Sequence, residues 1–309
     1  MVTTVCLNPS IDRTLLVDRL IEGGVNRVRR TVMTPSGKGI NVAVALQRLG
    51  VESTCVGFLH RENCMVFDNR LAREGVHNGM VYLPGTVRTN YKIWNNLHQT
   101  MTQINEAGSP WTRMAEDAFW QSFNASLENS EVVVMSGSLP VECPKDFYGQ
   151  LIRRTKEMGK KAILDAEGFA LIRGIEAAPY MVKPDETELA AYMGRKMDSK
   201  DKIIQAAETI LEKGVTVVVV TMGSKGAYCF TREERYFVPA LKVIVRATVG
   251  AGDSFAAGMA KGLAEGADLQ TQLRYGVAAA ASSLLAEGTA LLKRKDFESL
   301  AERVTIQAM

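Results

Sequence analysis

Short β-branched runs separated by helix-length segments recur along this 309-residue chain and constrain its fold more than any other feature. "TTVCL" is followed by the helix-like "GINVAVALQRLG" and then "ESTCVGFL"; "EVVVMSG", "KAILDA", "YMVKP" and "VTVVVVTMG" continue the alternation. Apolar strands that alternate with helices are the mark of a parallel sheet covered on both faces. The expected class is therefore α/β with a mostly parallel central sheet. Such sheets hold ligands in the crevice beyond the carboxyl ends of their strands. Unusual stretches follow the strand ends here: "NPSID", "SGSLP", "KPDETE", "GSKGA" and "GAGD". That convergence favours one site over five unrelated turns.

Two stretches break the alternation. Residues 12–34 and 86–106 have strand-like chemistry without intervening helices, and we expect them to form a small β-layer, a lid over the crevice, within a single domain spanning 1–309. In "VRTNYKIW" a period of two puts Arg88, Asn90, Lys92 and Trp94 on one face and Thr89, Tyr91 and Ile93 on the other. The polar face suits a ligand; it also suits a solvated edge strand.

Bulk properties exclude several function classes. A net charge of +3 gives no reason to expect nucleic acid or a membrane surface as partner, and leaves an anionic small molecule open. The five cysteines are odd in number and lack C-x-x-C pairing, which argues against a disulfide framework or zinc site. No apolar run approaches the ~20 residues of a membrane span. The N-terminus enters a strand-like segment without a signal-peptide pattern, and the cysteine usage leads us to expect a reducing, cytoplasmic location.

In "TVGAGDSFAAG" the run Val243-Ile244-Val245 reads as a strand, and Phe255, Met259 and Leu263 recur at helical spacing. Asp253 then falls at a helix N-terminus. It suits an N-cap. Capping is the commoner use of such a motif; the sharper reading is a base beside the amides of Gly250, Ala251 and Gly252, which would form an anion cradle. "PSGKGINVA" places Lys38 between Gly37 and Gly39, with Asn41 in the opening turn of the next helix, a setting for a phosphate or sugar hydroxyls. Neither G-x-x-x-x-G-K-S/T nor a G-x-G-x-x-G after the first strand is present, which removes the main support for a P-loop enzyme or a nicotinamide-dependent oxidoreductase.

"LNPSID", "SGKGINVA", "VRTNYK", "TQINEAG", "SGSLP", "KPDETEL", "TMGSKGA" and "TVGAGDS", in this order, resemble the phosphofructokinase B group of sugar kinases, which have the ribokinase-like fold. The resemblance runs from about residue 5 to 290. Within the group it is strongest to 1-phosphofructokinases and next to tagatose-6-phosphate kinases.

The resemblance implies roles. Asp253 would be the general base, with the amides of Gly250, Ala251 and Gly252 stabilising the transferring phosphoryl group. Asp12, Gly37, Gly39 and Asn41 would hold the sugar, and Lys38, Arg88 and Asn90 its existing phosphate, with Arg27 reaching in from the lid. Ser138 would touch substrate or merely serve the turn before Pro140. Lys183, Asp185, Thr221, Gly223, Ser224, Gly226, Gly252 and Ser282 would serve ATP, and Glu188 would hold Mg²⁺ through water. A monovalent cation is a further cofactor, and a homodimer through the lid the expected assembly. The implied reaction is ATP-dependent phosphorylation of a ketohexose phosphate, foremost fructose 1-phosphate, with tagatose 6-phosphate the alternative.

Two positions depart from the group. Asp185 stands where it usually has asparagine, and Ser36 where it often has glycine. An anion at 185 should weaken direct contact with nucleotide phosphates unless Mg²⁺ or a lysine intervenes. A catalytically silent sugar-phosphate binding protein is therefore the different-class alternative, against which the intact Asp253 argues.

Overall fold

Val132–Ser136 is buried along its whole length because it becomes an interior strand packed on both faces. The computed structural model describes residues 1–286 and 291–309. From the N-terminus, β1 (Val2–Cys6), β2 (Ser10–Val17) and β3 (Arg30–Ser36) lead to α1 (Lys38–Arg48), β4 (Ser53–His60), α2 (Met65–Glu74) and β5 (His77–Leu83). Then come β6 (Thr89–Asn95), β7 (Thr100–Asn105), α3 (Arg113–Leu127), β8 (Val132–Ser136), α4 (Phe147–Glu157) and β9 (Lys161–Asp165). Next are α5 (Gly168–Glu176), β10 (Met181–Val182), α6 (Glu186–Met193), α7 (Lys200–Glu212), β11 (Val217–Thr221), β12 (Ala227–Phe230) and β13 (Arg235–Val238). The last elements are α8 (Ala251–Ala264), α9 (Leu269–Leu284), α10 (Arg294–Ala301) and β14 (Gln307–Ala308).

Ten strands make one sheet in the order β14-β13-β12-β11-β10-β9-β8-β1-β4-β5. From β5 to β11 neighbours are parallel, while β12, β13 and β14 add an antiparallel edge. Alternate side chains feed two cores. Val132, Val134, Val217 and Val219 pack with α1, α8 and α9, whereas Val133, Met135, Val218 and Val220 pack with α3, α4 and α7. β1 lies between β4 and β8, so the crossovers leave it in opposite directions, and a crevice opens at that switch point.

The two stretches that break the alternation supply a separate four-stranded sheet, β3-β2-β6-β7. Its strands extend slightly past the expected bounds on the β2 and β3 side. One expectation fails: Val243-Ile244-Val245 is not a strand. Ile244 is 80% exposed and has no sheet edge to pair with; the run instead crosses the rim of the crevice, where Val243 and Val245 line the wall. β-branching expresses a preference for a pleated, half-buried surface, and no such surface is available here.

Candidate active site

Helix α8 begins at Gly250, whose φ of +83° is left-handed, and no side chain caps it. Asp253 is therefore not the cap. It sits buried in the first turn, where backbone amides lack intrahelical partners and the helix dipole is positive. The Ala251 amide makes only a long turn contact, 3.4 Å, to the Thr248 carbonyl. Asn41 donates from Nδ2 to Asp253 Oδ2 at 2.8 Å. Burial, with the like charge of Asp165, pushes the Asp253 carboxyl up to about 6, against the opposing pull of Asn41, Lys38 and Lys183.

Asp165 ends β9 and is fully enclosed. Lys183 Nζ lies 3.1 Å and Lys38 Nζ 3.6 Å from its Oδ1. Neither carboxylate oxygen makes a well-angled hydrogen bond, so ion pairing carries the compensation. Burial works to raise Asp165, but the two lysines overcome it and hold the carboxyl below its ordinary value. Lys38 is correspondingly raised, chiefly by Asp165.

Asp185 has a local task. Its Oδ1 accepts from the amides of Thr187 and Glu188, each at 2.8 Å, while Glu188 Oε2 accepts from the Asp185 amide at 2.8 Å. This reciprocal capping box starts α6. Glu188 Oε1 stands 3.9 Å from Lys38, outside hydrogen-bonding range, and burial raises the Glu188 carboxyl.

At the opposite end, the small sheet contributes a polar row. Asp12 pairs in register with Thr34 and Asn90, and Asn90 with Asn105. Asp12 is buried and accepts from Ser10 at 3.0 Å, Asn90 at 3.2 Å and Lys92 at 2.7 Å. Arg88 donates to the carbonyls of Asn8, Pro9 and Glu106 and to Asn90 Oδ1. The neighbouring row, Met33-Arg13-Tyr91-Ile104, lies on the other face, with Met33 52% and Ile104 57% exposed.

These groups share one cleft of about 1000 Å³. It is lined by Asp12, Gly37, Lys38, Asn41, Arg88, Asn90 and Ser138 at the end next to the small sheet. Lys183, Asp185, Glu188, Thr221, Gly223, Ser224 and Gly226 line the far end, with Gly250, Ala251, Gly252 and Asp253 between. Three sequence candidates are not on its wall. A Cβ on Gly39 would meet the Val5 carbonyl oxygen at 2.2 Å, so this glycine permits α1 to press against β1. The Ser282 hydroxyl is bonded to the backbone of Lys293 at 3.1 Å, fastening the end of α9. Arg27 lies exposed in the loop joining β2 to β3. Lys92, Asp165 and Arg70 went unrecognised as site candidates. The acid closing "KAILDA" was a usable signal for Asp165, as the polar face was for Lys92; Arg70 offered none.

Among the described residues no three His, Cys, Asp or Glu side chains gather as a metal site, and no helix is long and apolar enough to cross a membrane.

A buried carboxylate at a glycine-capped helix start, facing a long cleft at the switch point of an α/β sheet, suits transfer of a phosphoryl group, and the chain's relatives define the class as phosphotransferase. Residues 4–295 match the pfkB family of carbohydrate kinases, and the chain belongs to that family. It is 29% identical to a 1-phosphofructokinase of Vibrio cholerae, covering 100% of this chain and 97% of that one, and 31% identical to one of Bacillus subtilis, covering 93% of each. Phosphofructokinase-2 of Escherichia coli, solved with substrates and products, superposes with a TM-score of 0.89 at 30% identity over 98% of both chains. The same protein has been solved with potassium and as a tetrameric inhibited form. The acceptor is thus an alcohol, and the relatives support a sugar-phosphate kinase.

Proposed function

We propose that this protein transfers the γ-phosphoryl group of ATP to fructose 1-phosphate, giving fructose 1,6-bisphosphate, with Asp253 as general base. The observation that carries this reading is the Asp253 carboxylate, buried at the start of α8 and held by Asn41. Raised to about 6, it is ionised at neutral pH yet more basic than an exposed aspartate. The acceptor hydroxyl gives it a proton as the new O–P bond forms and the bond to ADP breaks. The first-turn amides, with Lys38 and Lys183 nearby, face the charge that develops on the transferring group.

Glu188 Oε1 lines the cleft 3.9 Å from Lys38 Nζ, and a carboxylate so placed could meet Mg²⁺ through water, since that ion keeps most of its waters and is completed by substrate phosphates. When bound, the ion would neutralise phosphate charge. Lys183, Thr221 and the Gly223–Gly226 turn are the nucleotide end of the cleft in this reading. Arg88 and Asn90, with Lys38, are the sugar-phosphate end, and the small sheet serves as lid. Charge-assisted contacts from these groups would fix the existing phosphate. The Arg-x-Asn-x-Lys pattern and the 1-phosphofructokinase relatives support the 1-phosphate over the 6-phosphate.

The row Met33-Arg13-Tyr91-Ile104, apolar apart from Arg13, supports a second copy of this chain as partner, since Met33 and Ile104 would otherwise leave hydrophobic area in water. The substrate test is ADP release measured with fructose 1-phosphate, fructose 6-phosphate and tagatose 6-phosphate. Fructose 1-phosphate should lead in kcat/KM by on the order of tenfold. Equal or better turnover of either 6-phosphate would overturn the substrate.

A further inference from the structure

Helix α2 is amphipathic, and Arg70 lies on its buried side, only 8% exposed. A guanidinium is placed in such a position at considerable desolvation cost, which here lowers its hold on its proton. The acid on the same helix, Glu74, is engaged by Arg48 through two hydrogen bonds of 2.9 and 2.7 Å. Arg70 instead donates to two neutral oxygens: the carbonyl of Pro35, where β3 leads into Gly37, and Asn41 Oδ1 at 3.0 Å. Asn41 is the residue whose Nδ2 donates to Asp253.

An amide offers one acceptor oxygen and one donor NH₂, whereas guanidinium only donates. Between Arg70 and an ionised Asp253 the Asn41 side chain has a single satisfactory orientation. Once Asp253 has taken up a proton, an unrestrained amide could turn its oxygen toward the new O–H. With Arg70 in place, that turn would set two donors against each other.

We propose that Arg70 is a positioning residue for the reaction: through Asn41 it keeps an N–H donor on the Asp253 carboxylate throughout turnover, favouring its ionised form. This rests on the reading of Asp253 as base. Other charged and titratable groups near Asp253 are Asp165 at the end of β9, Lys183 after β10, Lys38 on α1 and Cys6 on β1. Around Arg70 they are Glu74 and Arg73 on its own helix, Arg48 on α1, Cys55 on β4 and Asp253 itself. Substituting Arg70 leaves these residues in place but removes a positive charge that also helps to lower the Glu74 carboxyl and the Cys55 thiol.

The experiment is the pH profile of kcat from pH 5 to 9, at saturating ATP and fructose 1-phosphate, for wild type, Arg70→Met, Arg70→Gln and Asp253→Asn. Titration of the sugar phosphate is common to all variants. In Arg70→Met the acidic limb should move up by about one pH unit. Activity near pH 6 should then fall several-fold and recover at pH 8.5, with the KM for ATP unchanged. Arg70→Gln, a shorter uncharged donor, should fall between. A loss uniform across pH, or an unmoved limb, overturns the proposal. If Arg70→Met does not fold by circular dichroism, the limb of Arg70→Gln decides in the same way. Retained activity in Asp253→Asn would overturn the base itself; an inactive Asp253→Asn with unmoved Arg70 limbs would overturn only the role of Arg70.

Discussion

Lys92 Nζ stands 2.7 Å from Asp12 Oδ2, an ion pair whose side chains are only 10% and 5% exposed. It joins adjacent strands of the small sheet and ties Asp12, a member of the polar row, to Lys92 two residues beyond Asn90. Removing one partner of such a pair leaves an uncompensated buried charge. Lys92→Met should therefore cost about 3 kcal/mol in urea unfolding, and the double variant with Asp12→Asn should regain most of it. Equal losses in the single and double variants would argue against the pair.

Asp253→Asn should lower kcat by roughly 10² to 10⁴ while the fold persists, because Gly250 and not residue 253 occupies the cap position. Stability should move the other way. The folded carboxyl is raised to about 6, so its stabilising contribution is complete below the unfolded value near 4 and is lost as pH rises through 6. Thermal melts should then show Asp253→Asn gaining on the wild type between pH 4 and 6, by at most ~3 kcal/mol, and holding that lead at pH 8.

Asp185 starts α6 by accepting two amides. Asparagine can cap equally well, whereas alanine cannot. Asp185→Ala should lose about 1 kcal/mol of stability. Asp185→Asn should keep the melting temperature and lower the KM for ATP, since an anion leaves the nucleotide end of the cleft.

Arg88→Ala should raise the KM for the sugar phosphate by tenfold or more, with the KM for ATP changed by less than about twofold. Steady-state kinetics with each substrate varied in turn would separate these. Parallel changes in both constants would mean that Arg88 acts through its backbone carbonyl partners alone.

Ile104→Asp puts a carboxylate at the apolar end of the exposed row Met33-Arg13-Tyr91-Ile104. If that row joins two copies, light scattering should report a dimer for the wild type and a monomer for the variant. A wild-type monomer at working concentration would remove the proposed assembly.

The α/β class with its mostly parallel sheet was legible because most buried strands announce themselves by an apolar run, and because turn residues mark their carboxyl ends. Long-range pairing was not. Asn41 and Asp253 are 212 residues apart, and nothing in either local sequence specifies their contact. Arg70 reads as one more charge on an amphipathic helix until α1 is packed beside it. Gly39 and Ser282 show the converse: a motif position carries a residue into the neighbourhood of a site without deciding which way it faces. Gly39 is turned to β1, and Ser282 to the backbone of Lys293.

All four chain crossings between the two sheets occur at the same end of the small one: before Ser10, after Ser36, before Thr89 and after Asn105. Arg88 and Asn8 knit that end together, and Asn8 also reaches the Ala107 carbonyl at 3.1 Å. The far end, with the turn after Asn95 and the loop bearing Arg27, has no such anchorage in the chain path. Mechanically the small sheet is a cantilever. Any bending displaces its tip most and its root least, so Asp12 and Asn90, close to the root, keep their relation to Asp253 while Arg27 sweeps the widest arc.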